Sequence, residues 1–120
     1  MEVDDCPITA ILALIGGRWK PLIIYQLTFG TRRFGEIAVR IPAVSRKVLT
    51  DHLKELERDG LVVRKQYKEI PPRVEYSLTE LGRSLSVVID GMAEWGNKHL
   101  SKQRAHSSEQ KKAPAAAVGA

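Results

Sequence analysis

The segment from Pro42 to Gly60 restricts the fold of this chain more than any other part of it. At about 100° per residue its valines and leucines fall on one face of a helix, and charged or hydroxyl side chains fall on the opposite face. Ser45 suits the N-cap, since its hydroxyl can accept from an unpaired backbone N–H of the first turn. Gly60 suits the left-handed residue that ends a helix. We therefore predict an amphipathic helix between these two residues.

The outer face of this helix carries cations and one hydroxyl, namely Arg46, Lys47, Thr50, Lys54 and Arg58. Such a face can contact phosphates and base edges in a DNA major groove. The alternative is an ordinary solvated surface, because charged helix faces are common in proteins. The segments on either side of the helix bear on this choice.

A shorter helix is predicted directly before the amphipathic one, from about Phe34 to Arg40. Pro42 cannot continue it, because proline pushes the preceding residue out of the helical region. Four residues, 41–44, then separate the two helices. A short helix, a tight turn and a longer basic helix form a helix-turn-helix motif.

Two more helices are predicted before this motif. The first has Pro7 in its first turn, where a missing N–H costs nothing, and takes Asp4 or Asp5 as its cap. The second runs from about Trp19 to Phe29.

After Gly60 the apolar period changes from about 3.6 residues to about 2. Residues 61–66 and 74–78 alternate in this way, which predicts the two strands of a hairpin. A hairpin directly after a recognition helix is a wing. Lys68 and Arg73 are expected at its tip, where they can contact the DNA backbone or the minor groove.

Thr79 is predicted to cap a last helix of about five turns. The apolar stripe of this helix is broader than the core of one small domain requires, and the first helix is also apolar. We predict that both form a homodimer interface made of Ile8, Ile11, Leu12, Leu85, Val88, Ile89, Met92 and Trp95. The alternative is that the two helices pack on each other within a monomer.

The 120 residues predict one domain at residues 1–100, followed by a disordered basic and alanine-rich tail at 101–120. Residues 32–73 hold eleven Lys or Arg against six Asp or Glu. Such an excess favours a polyanion such as double-stranded DNA, although alone it also fits membrane surfaces or acidic proteins. The start is acidic, unlike a secretory signal, and no apolar run approaches the roughly 20 residues that cross a bilayer. We expect a cytoplasmic protein with no membrane partner.

The sequence offers no sign of catalysis. Its single cysteine, Cys6, excludes an internal disulfide, and its three histidines lack metal-ligand spacing. Nucleophile, metal and phosphate-loop motifs are absent from the sequence. We therefore expect no cofactor, no metal site and no enzyme activity.

Motifs recur in order along residues 6–100: Cys6-Pro7, Gly16-Gly17-Arg18-Trp19-Lys20, Arg33-Phe34-Gly35-Glu36-Ile37, Val44 to Thr50, Leu53 to Val62, Pro71 to Thr79, Leu81-Gly82 and Trp95-Gly96. In this order they resemble the HxlR-type winged helix-turn-helix family of prokaryotic transcription regulators. The resemblance implies a mainly α (α+β) fold, with a two-stranded wing and a long C-terminal dimerisation helix. It also implies a homodimer on two-fold-symmetric operator DNA, most often acting as a repressor.

The resemblance also implies which residues contact DNA. Those of the recognition helix are Ser45, Arg46, Lys47 and Thr50, to which the face count adds Lys54. Arg33 precedes the helix that crosses the DNA backbone, and Lys65, Lys68 and Arg73 belong to the wing. We assign Arg46 to a guanine edge and Ser45, Lys47 and Thr50 to phosphates.

Some members of the family use a cysteine at the position of Cys6 to sense oxidants or electrophiles, which would make such a compound an effector. A helix N-terminus stabilises a thiolate, whereas the charges of Asp4 and Asp5 disfavour it. The alternative is a small buried apolar residue.

The rival function is a winged-helix protein-interaction module with nonspecific DNA affinity, since a fold does not determine a function. The cationic face of the predicted recognition helix argues against it, because a protein-binding face needs an apolar anchor.

Overall fold

The computed structural model describes residues 5–100, which form five helices and three strands. In chain order these are α1 (Pro7–Ile15), α2 (Lys20–Leu27), β1 (Arg32–Arg33), α3 (Phe34–Arg40), α4 (Arg46–Arg58), β2 (Val62–Tyr67), β3 (Arg73–Leu78) and α5 (Glu80–His99). The predicted winged helix-turn-helix fold with a long last helix is confirmed. The predicted disordered tail at residues 101–120 lies outside the described residues.

The ends predicted for α4 are confirmed in atomic detail. Ser45 Oγ accepts the Val48 N–H at 3.1 Å, which satisfies one unpaired donor of the first turn. At the other end Gly60 has a φ of +78°, which a side chain would disfavour. The Leu61 N–H then bonds to the Leu56 carbonyl at 2.9 Å and closes the last turn.

The cap predicted for α1 is wrong for Asp5, and Asp4 lies outside the described residues. Cys6 occupies the N-cap position, with an extended backbone (φ −69°, ψ 128°) and no side-chain capping bond. The reason is Pro7, because a proline forces the preceding residue into the extended conformation that an N-cap requires.

Helix α2 is shorter than predicted, since it excludes Trp19 and ends two residues before Phe29. Thr28 follows its last residue and donates its hydroxyl to the Ile24 carbonyl at 3.1 Å. This bond gives a carbonyl of the last turn a hydrogen-bond donor, so the helix can end here without leaving that carbonyl unpaired.

The wing hairpin is joined by a strand that the sequence analysis did not predict. The sheet order is β1-β3-β2, and all pairings are antiparallel. Arg33 pairs with Glu75, which pairs in turn with Lys65 on β2. A strand of two residues is too short to show an alternating apolar pattern, so it can be recognised only from its pairing with β3.

The core lies between α2, α3, α4 and the base of the wing. Its fully buried side chains are Ile23, Ile24, Ile37, Leu49, Leu53, Leu56, Leu61 and Val62. Because three leucines of α4 point into this core, the opposite face of α4 is turned to solvent.

Helix α5 packs against α2 along one edge of its apolar stripe. Ile89, which we predicted at the dimer interface, belongs to this edge and is only 5 % exposed. That residue is therefore part of the core of a single chain. The stripe is wide enough for a second edge, including Val88 and Met92, to remain exposed.

The start of α5 lies directly against the chain that follows α4. The Thr79 N–H bonds to the Leu61 carbonyl at 3.1 Å, and its hydroxyl donates to the Gly60 carbonyl at 2.6 Å. Thr79 Oγ1 also accepts the Gly82 N–H at 3.0 Å, as predicted for a cap. A Cβ at Gly82 would overlap the Leu61 carbonyl oxygen, so this contact needs glycine.

Candidate nucleic-acid interface

The helix-turn-helix is held together by buried isoleucines and turn hydrogen bonds. Ile37 and Ile41 are buried, and the Ile41 N–H bonds to the Ile37 carbonyl at 3.1 Å. The Val44 N–H then bonds to the Ile41 carbonyl at 3.2 Å, so the turn is compact. This turn presents the N-terminus of α4 with Ser45 as its cap.

The exposed face of α4 carries the predicted cations. Arg46, Lys47 and Lys54 are exposed, and Thr50 is half-buried. The Thr50 hydroxyl donates to the Arg46 carbonyl at 2.8 Å, so its hydrogen is used within the helix. The Ser45 oxygen is likewise used by the cap. The cationic side chains are therefore the strongest candidates for DNA contact on this helix.

Lys47 is paired with an acid of its own helix. Its Nζ lies 2.9 Å from Asp51 Oδ2, one turn further along α4. This hydrogen bond raises the pKa of Lys47 above its ordinary value and lowers the pKa of Asp51. Both groups are therefore charged near neutral pH. Contact between Lys47 and a phosphate would require it to exchange or share this partner.

Arg46 is oriented by an aromatic ring of α3. Its guanidinium carbon lies 5.4 Å from the centre of the Phe34 ring, a cation–π contact. This contact joins the first residue of α4 to the first residue of α3.

The sheet and the wing loop carry three of the predicted DNA contacts, namely Arg33, Lys65 and Lys68. Because directly paired residues share a face, Arg33, Glu75 and Lys65 form one row across β1, β3 and β2. Arg33 and Lys65 are exposed at the two ends of this row. Lys68, beyond the end of β2, is also exposed.

Arg73, predicted to contact DNA, is bound within the wing instead of projecting from it. Its two terminal nitrogens lie 2.8 Å from Glu69 Oε2 and 3.1 Å from Glu75 Oε2. Its guanidinium also stacks 3.8 Å from the centre of the Tyr67 ring. These contacts brace the wing loop, and Arg73 would have to leave them to bind a phosphate.

The sequence analysis did not single out Arg64 or Lys20, of which the first adds a cation to this surface and the second supports it. Arg64 lies on β2 next to Lys65 and is exposed. Lys20 pairs with Glu55 across α2 and α4 at 2.6 Å, and thus supports α4 from behind. The exposure of Arg64 could have been predicted, because a wing extends beyond the domain core and both faces of its strands can meet solvent. The Lys20–Glu55 pair could not, because the two residues lie far apart in the chain.

Most of the predicted dimer residues lie on the surface of the chain. Ile8, Leu12, Val88, Met92 and Trp95 are each 51–62 % exposed. Ile11 and Leu85 are partly buried against the core. The exposed residues give α1 and α5 a large apolar surface, which is unusual for a monomer.

Cys6 is half-buried at the start of α1. The backbone N–H groups of Thr9 and Ile8, in the first turn of α1, face the thiol closely enough to lower its pKa, although neither forms a capping hydrogen bond with it. This outweighs the effect of partial burial, which raises the pKa. The thiolate is the nucleophilic form, so the position favours reactivity.

Residues 5–100 contain neither a metal-binding cluster nor a single membrane-spanning helix. No group of three or more His, Cys, Asp or Glu residues there could hold a metal ion. No single helix in this part of the chain is long and apolar enough to cross a bilayer. Helices α1 and α2 would meet that test only together, and they are bent by 81° at the break between them.

A family model described as HxlR-like helix-turn-helix matches residues 14–104 of the chain. The HTH-type transcriptional regulator YdeP of Bacillus subtilis is 45% identical over 101 residues, which cover 84% of this chain and 79% of YdeP. The residues matched by the family model include all of the helix-turn-helix and the wing.

Two solved structures are similar in both sequence and fold. The redox regulator HypR in its oxidized form has 44% identity and a TM-score of 0.75, covering 78% of this chain and 97% of HypR. The reduced form of the transcriptional regulator YodB from B. subtilis has 41% identity and a TM-score of 0.68, covering 78% of this chain and 93% of YodB.

Proposed function

This chain belongs to the HxlR-like helix-turn-helix family, and we propose that it is a homodimeric repressor that binds a two-fold-symmetric operator in the cytoplasm. As a member of that family it is a DNA-binding transcription regulator. The observation that best supports the finer proposal is the exposed cationic face of α4, which begins at a capped N-terminus after a compact turn. A face of this kind suits the major groove.

Within this proposal, the DNA contacts are divided between bases and phosphates. Arg46 is the candidate for base reading, because Phe34 limits the directions its guanidinium can take. Ser45, Lys47 and Lys54 would hold phosphates beside it, and Thr50 would do so after its hydroxyl leaves the Arg46 carbonyl. Arg33 would contact the DNA backbone from the start of α3, Lys65 and Lys68 would do so from the wing, and Arg73 would hold the wing loop in place.

The dimer proposal rests on the apolar surface of α1 and α5. A second copy of the chain would cover Val88, Met92 and Trp95, whose exposure would otherwise be costly. Regulators of this class usually read paired half-sites about one helical turn apart, which also favours a dimer.

Cys6 supports a second, regulatory proposal. Its lowered pKa makes it the candidate for reaction with an oxidant or electrophile, and HypR is described as a redox regulator. Because the chain has one cysteine, a disulfide would have to join two subunits or a small thiol.

The decisive experiment is selection of bound duplexes from a random DNA pool by the purified, reduced protein. Enrichment of a motif with two symmetric half-sites about 10 base pairs apart would support the proposal. Salt-sensitive binding without any enriched sequence would contradict it. That result would favour the rival function, a protein-interaction module with incidental DNA affinity.

A further inference from the structure

A cavity of about 530 Å³ lies between the end of α2, the end of β3 and the first turns of α5. Its size falls in the range of small-molecule pockets. None of its lining residues belongs to α3, α4 or the tip of the wing. The cavity is therefore separate from the surface proposed to contact DNA.

The wall of the cavity has unused hydrogen-bond donors and no acid. Thr31 and Ser77 are lining residues whose hydroxyls make no side-chain hydrogen bond among residues 5–100, and Arg83 is the one charged lining residue. Leu27 and Leu78 add apolar surface. A wall of this composition suits an anion that also has an apolar part.

The guanidinium of Arg83 is oriented but not saturated. Its Nη1 donates to the Leu78 carbonyl at 3.0 Å, which holds the side chain over the start of α5. Its other nitrogens have no partner within the part of the chain that the structure describes. An arginine fork of this kind can bind both oxygens of a carboxylate.

We propose that this cavity binds a small monocarboxylate whose apolar part packs against Leu27 and Leu78. One arginine balances one negative charge, whereas a phosphate dianion would call for a second cation. The occupant would contact α2 just before the helix-turn-helix, β3 of the wing and the dimer helix α5. Its role as an effector of DNA binding rests on the proposed function, but its binding does not.

Phenylacetate is the probe, and phenylacetamide is the uncharged control of nearly the same shape. Each is titrated into the full, DNA-free protein while amide shifts are followed by ¹H–¹⁵N NMR. We expect saturable shifts near Thr31, Ser77 and Arg83 with phenylacetate, at a Kd of about 1 mM or tighter. Phenylacetamide should produce no saturable shift at these residues.

Two variants remove the site in different ways. Arg83→Gln removes the charge and should weaken binding at least about tenfold. Thr31→Phe fills the cavity from an exposed position and should abolish binding without disturbing the core. Arg18→Gln, at an exposed arginine between α1 and α2, is the matched control and should bind normally.

Three results would overturn the proposal. They are an absence of shifts up to about 10 mM phenylacetate, equal shifts with phenylacetamide, and undiminished binding by both cavity variants. None of these results depends on DNA binding. The ligand site can therefore be disproved while the proposed function stands, and the proposed function can be disproved while the ligand site stands.

Discussion

Lys20 Nζ lies 2.6 Å from Glu55 Oε1, and this ion pair joins the first turn of α2 to the last part of α4. The lysine side chain is 12% exposed and the glutamate 40%. The pair fixes the recognition helix from its inner side, at the end opposite to its cap. It therefore connects the stability of the fold to the position of the DNA-binding surface.

Glu55→Gln should lower the stability of the protein in a pH-dependent way. The hydrogen bond from Lys20 lowers the pKa of Glu55 below its ordinary value of 4.5, so the pair stabilises the fold above that pH. The contribution is lost as the pH falls through the depressed folded-state pKa. Urea unfolding should give a lower midpoint for the variant at pH 7, and the difference should close in acid.

Glu57→Gln is the control for this measurement, because Glu57 is an exposed acid of the same helix with no ion pair among the described residues. Its unfolding midpoint should follow that of the wild type at every pH. A deficit for Glu55→Gln that persists unchanged in acid would contradict the electrostatic explanation.

Arg46→Ala and Lys68→Ala should weaken DNA binding in different ways. Loss of a base contact should cost about 1–3 kcal/mol and relax sequence preference at one position. Loss of a phosphate contact should weaken binding to all duplexes alike and reduce the salt slope by about 1. Fluorescence anisotropy with the selected operator and single-base variants, at several salt concentrations, measures both effects.

Lys98→Ala is the matched control for charge, since Lys98 is exposed in the last turn of α5, far along the chain from the helix-turn-helix. It should leave affinity and salt slope nearly unchanged. If Arg46→Ala weakened all duplexes equally, the assignment of Arg46 to base reading would be wrong.

Gly82→Ala should destabilise the fold by about 1–3 kcal/mol, because the new Cβ would overlap the Leu61 carbonyl and the backbone would have to move. Gly35→Ala should instead be neutral or stabilising by up to about 1 kcal/mol. Gly35 also lies in a helix, but no atom outside its own helix backbone and chain neighbours lies within 4 Å of the ideal Cβ. Thermal or urea unfolding of both variants checks the contrast, which equal effects would refute.

Met92→Glu should convert the protein to a monomer. Met92 lies on the exposed apolar edge of α5, where a partner subunit would bury the new charge at high cost. Sedimentation velocity should show a Kd of dimerisation at least about tenfold weaker. Val87→Glu is the control, because Val87 is 70 % exposed but lies beside Asp90 and Glu94 on another side of the helix. Equal dissociation by both variants would argue against the proposed interface.

The Cys6 thiol should react with iodoacetamide at a lower pH than an ordinary cysteine. Because the first turn of α1 places the Thr9 and Ile8 N–H groups near the thiol only in the folded chain, the pKa of the thiol should rise when the protein is unfolded in urea. The pH dependence of the alkylation rate measures both states, and the single cysteine makes the reaction site unambiguous. Equal midpoints for folded and unfolded protein would remove the physical basis for a sensor.

The sequence alone determined the features that depend on neighbouring residues. The cap at Ser45, the left-handed Gly60 and the cap at Thr79 each need only a few residues, and all are present. The change of apolar period after Gly60 likewise identified the hairpin. The order of helix, turn, helix and wing follows from these local signals.

Tertiary structure alone decided which side chains are free to act. The sequence predicts that Arg73 is a free cation at the wing tip. In the folded hairpin its guanidinium is instead bound by Glu69, Glu75 and Tyr67. Ile89 belongs to an apolar stripe whose two edges are alike in sequence, and the position of α2 determines which edge is covered.

Strand β1 and the Lys20–Glu55 pair depend in the same way on residues far apart in the chain. Periodicity and capping describe how a segment relates to its own axis, whereas these contacts depend on where separate segments meet. That placement is a property of the packed core.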